Sequence, residues 1–212
     1  MRHIKALDGS LIEIESGDIV LSRYHGNWKG RTLAKLITWI PGVSRHTGYS
    51  HAMMFGEKVH ASRLVSAEGG CVQLVDFDRY QSSDYSIVIL RDPKLTEATR
   101  LRAAIRADEL LGTKYSYWAI AAHGIDTILS FGGRLPWSRP VAGIVGRLDR
   151  GEVCSEMVAH AYWDSVGLLF KRWKSSTSVD WWVCRPRDIE YTARIEGWKV
   201  VHLTSHGAVV KG

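Results

Sequence analysis

The chain has 212 residues, and its hydrophobic content of 45% is enough for one sizeable core. The composition does not shift along the sequence, so we expect a single domain over residues 1–212. Lysine and arginine outnumber acidic residues by 28 to 22, for a formal charge of +6. This scattered excess permits peripheral contact with an anionic surface, but no motif indicates specific nucleic-acid binding.

The three cysteines exclude two common kinds of site. Cys71, Cys154 and Cys184 cannot all pair within the chain, and their spacing matches neither a disulfide framework nor a zinc site. The amino terminus lacks the apolar core of a secretory signal, and no apolar run reaches the ~18 residues of a membrane span. We therefore expect a cytoplasmic protein that needs no metal and no organic cofactor.

The first half of the chain is typical of an antiparallel sheet. A turn at Gly17 and Asp18 precedes a short strand at residues 19–22, and apolar residues at helical spacing predict a helix over residues 32–40. Further strands are predicted at residues 51–56, 63–68, 71–75 and 86–90, with glycine-containing turns between the first three. The pattern indicates a meander rather than alternating strands and helices.

The second half contains two confidently predicted helices. Thr96 caps the first, over residues 97–111, and Gly112 ends it. Its predicted apolar stripe consists of Leu101, Ala104, Ile105 and Leu111, and its arginines Arg100, Arg102 and Arg106 are interpreted as a solvated face. The second helix, over residues 153–166, has a common apolar face of Cys154, Met157, Val158, Ala161 and Tyr162.

Three other segments complete the predicted order. Residues 116–150 are rich in glycine, proline and tryptophan, and we interpret them as an apolar insertion that folds over the groove beside Cys154. The run from Cys184 to Ile189 is predicted to be a turn because it contains Pro186. Residues 198–204 are predicted to be the last strand.

Cys154 is the best candidate nucleophile. It lies where a helix should begin, and the free N–H groups and positive dipole end of a helix favour the thiolate. The small Ser155 follows, so the sulfur and a backbone N–H can both face a substrate carbonyl. An arbitrary cysteine is more often a small buried hydrophobe, and we keep that interpretation for Cys71 and Cys184.

His51 is the candidate base, because it begins a predicted strand that would hold its imidazole rigidly. A third group on a neighbouring strand should orient the imidazole. Glu68 is the best carboxylate for this role, although its position beside Gly69 and Gly70 also fits a solvated turn residue. Ser66, two residues earlier on the same face, is the alternative.

An ordered set of short motifs carries a family resemblance. The set is Gly-Asp-Ile-Val-Leu-Ser-Arg from Gly17, Tyr-Ser-His-Ala-Met-Met-Phe from Tyr49, Val-Ser-Ala-Glu-Gly-Gly from Val65, Leu-Gly-Thr-Lys-Tyr-Ser-Tyr from Leu111 and Val-Cys-Ser-Glu-Met-Val from Val153. In this order the chain resembles the circularly permuted branch of the NlpC-type papain-like hydrolases, particularly the YiiX-like group. The histidine strand precedes the cysteine helix here, whereas unpermuted relatives have the reverse order. The related lecithin:retinol acyltransferase group shares the permuted order, but its Asn-Cys-Glu-His signature is absent.

The resemblance implies a papain-like α+β domain, in which an antiparallel sheet packs against helices and the nucleophile lies at a helix N-terminus. It implies Cys154 as nucleophile, His51 as base and a polar orienting residue on the next strand, with Tyr115 lining the site. We expect substrate contacts from Tyr115, Ser155 and Ser66. The implied activity is a thiol amidase or peptidase, acting on a peptide such as cell-wall material. Two alternatives stay open: a thiol esterase or acyltransferase acting on a lipid-derived acyl group, and a non-catalytic binding module that uses the nine tryptophans.

Overall fold

The computed structural model describes most of the strands and helices of this chain. The described residues are 2–5, 9–25, 49–57, 63–118, 121–122, 125, 141, 144, 151, 153–171 and 177–204. The helix predicted over residues 32–40 lies outside them. Most of the predicted insertion at 116–150 does so too, and its packing over the groove stays a prediction.

The architecture is mixed α+β. The strands are β1 (Arg2–Lys5), β2 (Leu11–Ile14), β3 (Ile19–Tyr24), β4 (His51–Met54), β5 (Arg63–Glu68), β6 (Cys71–Asp76), β7 (Tyr85–Arg91) and β8 (Lys199–Thr204). Strands β3 to β8 form one sheet in the order β6-β5-β4-β3-β7-β8, and every neighbouring pair is antiparallel. The predicted meander is thus present in β3 to β6. The β1–β2 hairpin was not predicted from the sequence.

Among the residues that the structure describes, three complete α-helices accompany the sheet: α1 (Glu97–Glu109), α2 (Cys154–Val166) and α3 (Pro186–Ile195). The hydroxyl of Thr96 accepts a hydrogen bond from the backbone N–H of Thr99, which confirms the predicted cap of α1. All five residues of the predicted apolar face of α2 are buried. The helix begins at Cys154 itself, as the sequence predicted.

The predicted burial of α1 is wrong in part. Leu101 and Ile105 are exposed, whereas Arg100 is buried together with Ala103, Ala104, Ala107 and Asp108. The buried arginine is tolerated because its guanidinium pairs with the Glu15 carboxylate and donates to the backbone carbonyl of Leu95. Hydrophobic spacing alone could not identify this face, because its buried residues are small alanines and two charged residues rather than large apolar side chains.

The α3 helix replaces the turn that we predicted after Cys184. Proline suits the first turn of a helix, where its missing N–H would have no intrahelical partner, and Pro186 occupies that position. The Asp188 carboxylate accepts a hydrogen bond from the backbone N–H of Arg185 at 3.0 Å. The sequence pattern is therefore a helix start, which we misinterpreted as a break.

Two apolar clusters lie on the opposite faces of the large sheet. The cluster on the helical side includes Leu21, Ala52 and Val65 of the sheet with Met157 and Val158 of α2. The cluster on the other face includes Val20, Met53 and Leu64, and it is covered by apolar residues of β1, β2 and the 3-10 helix Phe77–Gln81. Strand β4 thus lies between two packed layers, which hold Ala52, Met53 and Met54 directly after His51. None of the described helices is long and apolar enough to cross a membrane.

Candidate active site

The nucleophile candidate is the first residue of α2. Val153 precedes it in an extended conformation, and the Glu156 carboxylate accepts a hydrogen bond from the Val153 backbone N–H at 3.4 Å. Because valine has no side-chain acceptor, this contact with Glu156 takes the place of an ordinary N-cap. Cys154 is buried, so its sulfur is held by packing as well as by the helix.

His51 and the two candidate orienting residues occupy one face of two paired strands. Met53 of β4 lies opposite Ser66 of β5, and the same register, continued by two residues, brings His51 opposite Glu68. Residues opposite each other in an antiparallel pair point to the same face. The β5–β6 connection has only two residues, Gly69 and Gly70, both with positive φ (63° and 106°), which is the backbone of a tight hairpin. This turn holds Glu68 at the end of a rigid strand rather than in a solvated loop.

The contacts of His51 divide between its two ring nitrogens. Its Nε2 atom lies 2.8 Å from the hydroxyl oxygen of Ser66 and 3.5 Å from a carboxylate oxygen of Glu68. These contacts leave Nδ1 to face other groups, and Cys154 is the group whose interaction with the imidazole most strongly shifts the pKa values of both side chains. The side chains of His51 and Glu68 are 19% and 20% exposed, so solvent reaches both only in part.

The electrostatics of the pair favour a thiolate and an imidazolium. Burial alone would raise the pKa of Cys154, but His51 and the backbone N–H groups of Ala52 and Ser155 outweigh it and lower that pKa below 9.0. Burial alone would lower the pKa of His51, but Cys154 and Glu68 outweigh it and raise that pKa above 6.5. Both shifts move the pair toward a thiolate and an imidazolium.

A clamp of two donors holds Glu68. Arg79 donates to one carboxylate oxygen at 2.7 Å, and the Tyr80 hydroxyl donates to the other at 2.8 Å. The Tyr80 ring also lies nearly parallel to the His51 ring, with centroids 6.3 Å apart. Neither clamp residue was predicted from the sequence, since both come from the 3-10 helix Phe77–Gln81, which follows β6.

Tyr115 is held against the same hairpin. Its backbone N–H donates to the carbonyl of Gly70 at 2.8 Å, and the neighbouring Lys114 forms an isolated bridge with Cys71. Burial, followed by the charge of Cys154, raises the pKa of the Tyr115 phenol, so that the hydroxyl stays protonated near the sulfur. This electrostatic contact is consistent with the predicted position of Tyr115 beside Cys154.

The other predicted site residues have different positions. The Ser155 hydroxyl is buried and donates to the carbonyl of Cys184 at 2.8 Å, which leaves its backbone N–H as the group directed at the sulfur. Ser66 is fully buried and contacts His51, a position that fits orientation better than substrate binding. Cys184 is buried, as predicted, whereas Cys71 is only partly buried.

Comparisons with known proteins do not assign a family. No family model matches the sequence, and no curated protein matches it. Within the described part of the chain, no cluster of three or more histidine, cysteine or acidic side chains could hold a metal ion. The groups that the site offers for chemistry are a thiol, an imidazole, a serine hydroxyl and a clamped carboxylate.

Proposed function

We propose that the protein is a thiol hydrolase of the permuted papain-like, NlpC type that cleaves an amide bond through an acyl-enzyme on Cys154. The observation that carries the proposal is the polarised pair, in which the pKa of a helix-start cysteine is lowered and that of its histidine partner is raised. A buried structural cysteine has no need of a charged imidazole. The same pair is the usual means of activating a thiol for attack on a carbonyl.

The reaction proceeds in two steps, acylation of Cys154 and hydrolysis of the thioester. The Cys154 thiolate attacks the carbonyl carbon and forms a carbon–sulfur bond, and the developing oxyanion is stabilised by nearby donors such as backbone N–H groups. The His51 imidazolium gives its proton to the leaving nitrogen, the carbon–nitrogen bond breaks and an amine departs. Neutral His51 then removes a proton from water, and the hydroxide attacks the thioester. The acid product leaves, and the thiolate and the imidazolium are restored.

Ser66 and Glu68 support this cycle by holding His51. With both ring nitrogens protonated, Nε2–H donates to the Ser66 hydroxyl, which fixes the ring plane. Glu68 adds a negative charge that favours the imidazolium without touching substrate. Of the residues predicted to bind substrate, Tyr115 is the best supported, because its protonated hydroxyl lies in the field of the Cys154 sulfur.

The substrate that we propose is a peptide, with cell-wall peptide as the leading class because of the family resemblance and the basic charge. A lipid-derived acyl group is the second candidate, and a specific observation favours it. Tyr117 and Trp118, which follow Tyr115 directly, are 65% and 75% exposed, and the rings of Tyr115 and Tyr117 pack edge to face at 5.0 Å. Exposed aromatic side chains beside a nucleophile suit an apolar acyl chain.

A paired substrate panel tests the function. Purified protein and its Cys154→Ala variant are incubated with muropeptides, short peptides, and acyl thioesters of increasing chain length, and the products are identified by mass spectrometry. Release of amine and acid that depends on Cys154 supports the amidase, and thioester cleavage alone supports the lipid-directed alternative. Equal turnover by the wild type and the Cys154→Ala variant, or none on any substrate, would contradict the proposal. The latter would instead favour a binding module.

A further inference from the structure

The contacts around Glu68 pose a geometric problem. Its carboxylate lies 3.5 Å from Nε2 of His51, beyond ordinary hydrogen-bond distance, although the Ser66 hydroxyl reaches the same atom at 2.8 Å. A carboxylate is a stronger acceptor than a hydroxyl for a protonated imidazole. Other contacts must therefore hold the Glu68 carboxylate away from Nε2 of His51.

Two donors supply that restraint, one on each carboxylate oxygen. The oxygen nearest His51 accepts a hydrogen bond from the Tyr80 hydroxyl, and the other is paired with Arg79. The guanidinium of Arg79 lies above the Tyr80 ring, 5.7 Å from its centroid, and it also interacts with the hydroxyl of Tyr85 on β7. The clamp is thus anchored to a second element of the sheet.

We propose that Arg79 is a positioning residue that holds the Glu68 carboxylate beside His51 but away from Nε2, so that Ser66 takes the hydrogen bond. This inference rests on the proposed function, because Arg79 would adjust His51 as the acid–base group of that reaction. A carboxylate bonded directly to Nε2 would raise the pKa of the imidazolium further, and so weaken its other N–H as the acid toward a leaving amine. Arg79 prevents this by occupying Glu68 and by opposing its charge.

Among the residues that the structure describes, the groups that face His51 all enter the expected titration. They are Cys154 from α2, Ser66 and Glu68 from β5, and Arg79 and Tyr80 from the 3-10 helix. Cys154 and Glu68 raise the pKa of His51, and Arg79 lowers it. Substitution of Arg79 and substitution of Glu68 should therefore shift the titration in opposite directions.

The test is an NMR titration of the imidazole with histidine labelled at its ring carbons, and the His51 signal is assigned by its loss in His51→Ala. Arg79→Met should raise the midpoint by roughly 0.3–0.7 pH unit, the size expected for a half-exposed ion pair. Glu68→Gln should lower the midpoint, and Arg79→Lys should restore it to near the wild-type value, because it keeps the charge. Since the Arg79 side chain is 58% exposed, none of its variants should unfold the protein.

The matched control is Arg63→Met. Arg63 is 51% exposed and pairs with Asp76 on the neighbouring strand, so this variant loses the same charge from a comparable surface ion pair. It should leave the His51 midpoint unchanged. A midpoint that is unchanged or lowered in Arg79→Met, or equally raised in Arg63→Met, would overturn the role of Arg79.

The titration needs no substrate, so the two proposals fail separately. If hydrolysis depends on Cys154 but the Arg79→Met titration matches the wild type, only the positioning role is lost. If Cys154→Ala leaves hydrolysis unchanged, the proposed function is lost whatever the titration shows. An upward shift in Arg79→Met together with slower amide cleavage supports both.

Discussion

Replacement of His51 by alanine should slow the reaction of Cys154 with iodoacetamide at pH 6. His51 provides the largest of the effects that lower the pKa of this thiol, whereas burial, which raises it, remains in the variant. The pKa of Cys154 should therefore rise in the variant. The fraction of thiolate at pH 6 then falls steeply.

The size of the loss follows from two opposing factors. Each unit of increase in a thiol pKa reduces the thiolate population at pH 6 about tenfold, but raises the intrinsic reactivity of the thiolate about threefold. The net loss is roughly three- to fourfold for each unit by which the thiol pKa rises. We therefore expect the alkylation rate of His51→Ala at pH 6 to fall severalfold.

The assay is intact-protein mass spectrometry over time, repeated from pH 5 to pH 10, with His3→Ala as the control. His3 is an exposed residue of β1, and its loss should leave the rate unchanged. The deficit of His51→Ala should shrink as the pH rises, because both proteins then carry thiolate. Thermal stability should change by no more than about 1–2 kcal/mol. A His51→Ala rate equal to the wild type at pH 6, or a deficit that is constant across pH, would refute the assignment.

Three further predictions concern Glu68, the core and the insertion. Glu68→Gln should reduce the turnover of the identified substrate, but by less than His51→Ala does, because an orienting charge does not exchange the proton; unchanged turnover would leave Ser66 as the sole orienting group. Replacing Tyr162 with phenylalanine should cost about 1–3 kcal/mol in chemical denaturation, since its buried hydroxyl donates to the Gly17 carbonyl at 2.5 Å. Replacing residues 127–142 with a short Gly-Ser linker should preserve alkylation of the nucleophile but change the preference between short and long acyl substrates, and an unchanged preference would contradict the predicted covering role.

The positions of Cys154 at a helix start and of His51 at a strand start could be predicted because their signals are local. The helix-start position of Cys154 and the strand-start position of His51 are each readable from a dozen neighbouring residues, and both are as the sequence indicated. The pairing of β4 with β5 was harder to predict, yet the alternation of residues along a strand already placed Ser66 and Glu68 on one face. Their roles are distinguished only by the distances from Nε2 of His51, which are 2.8 Å to the Ser66 hydroxyl and 3.5 Å to the Glu68 carboxylate.

Arg79 and Tyr80 could not be predicted as partners of Glu68, because their contacts with it depend on how the 3-10 helix Phe77–Gln81 packs after β6. Arg79 is one of 28 basic residues, and nothing in its local sequence distinguishes it from a solvated charge. The buried Arg100 was missed for a related reason, since its partner Glu15 lies 85 residues earlier. Charge pairs between distant segments leave no periodic signal in the sequence.

The most direct test of the account is to locate the acyl group. Wild-type protein is mixed with an activated acyl ester, quenched with acid within seconds and digested for peptide mapping. We predict an acyl adduct on Cys154 that decays with time as water releases it, with Cys71 and Cys184 unmodified. Equal acylation of the three cysteines would contradict the claim that Cys154 is the nucleophile. Folded protein that carries no adduct on Cys154 would contradict it as well.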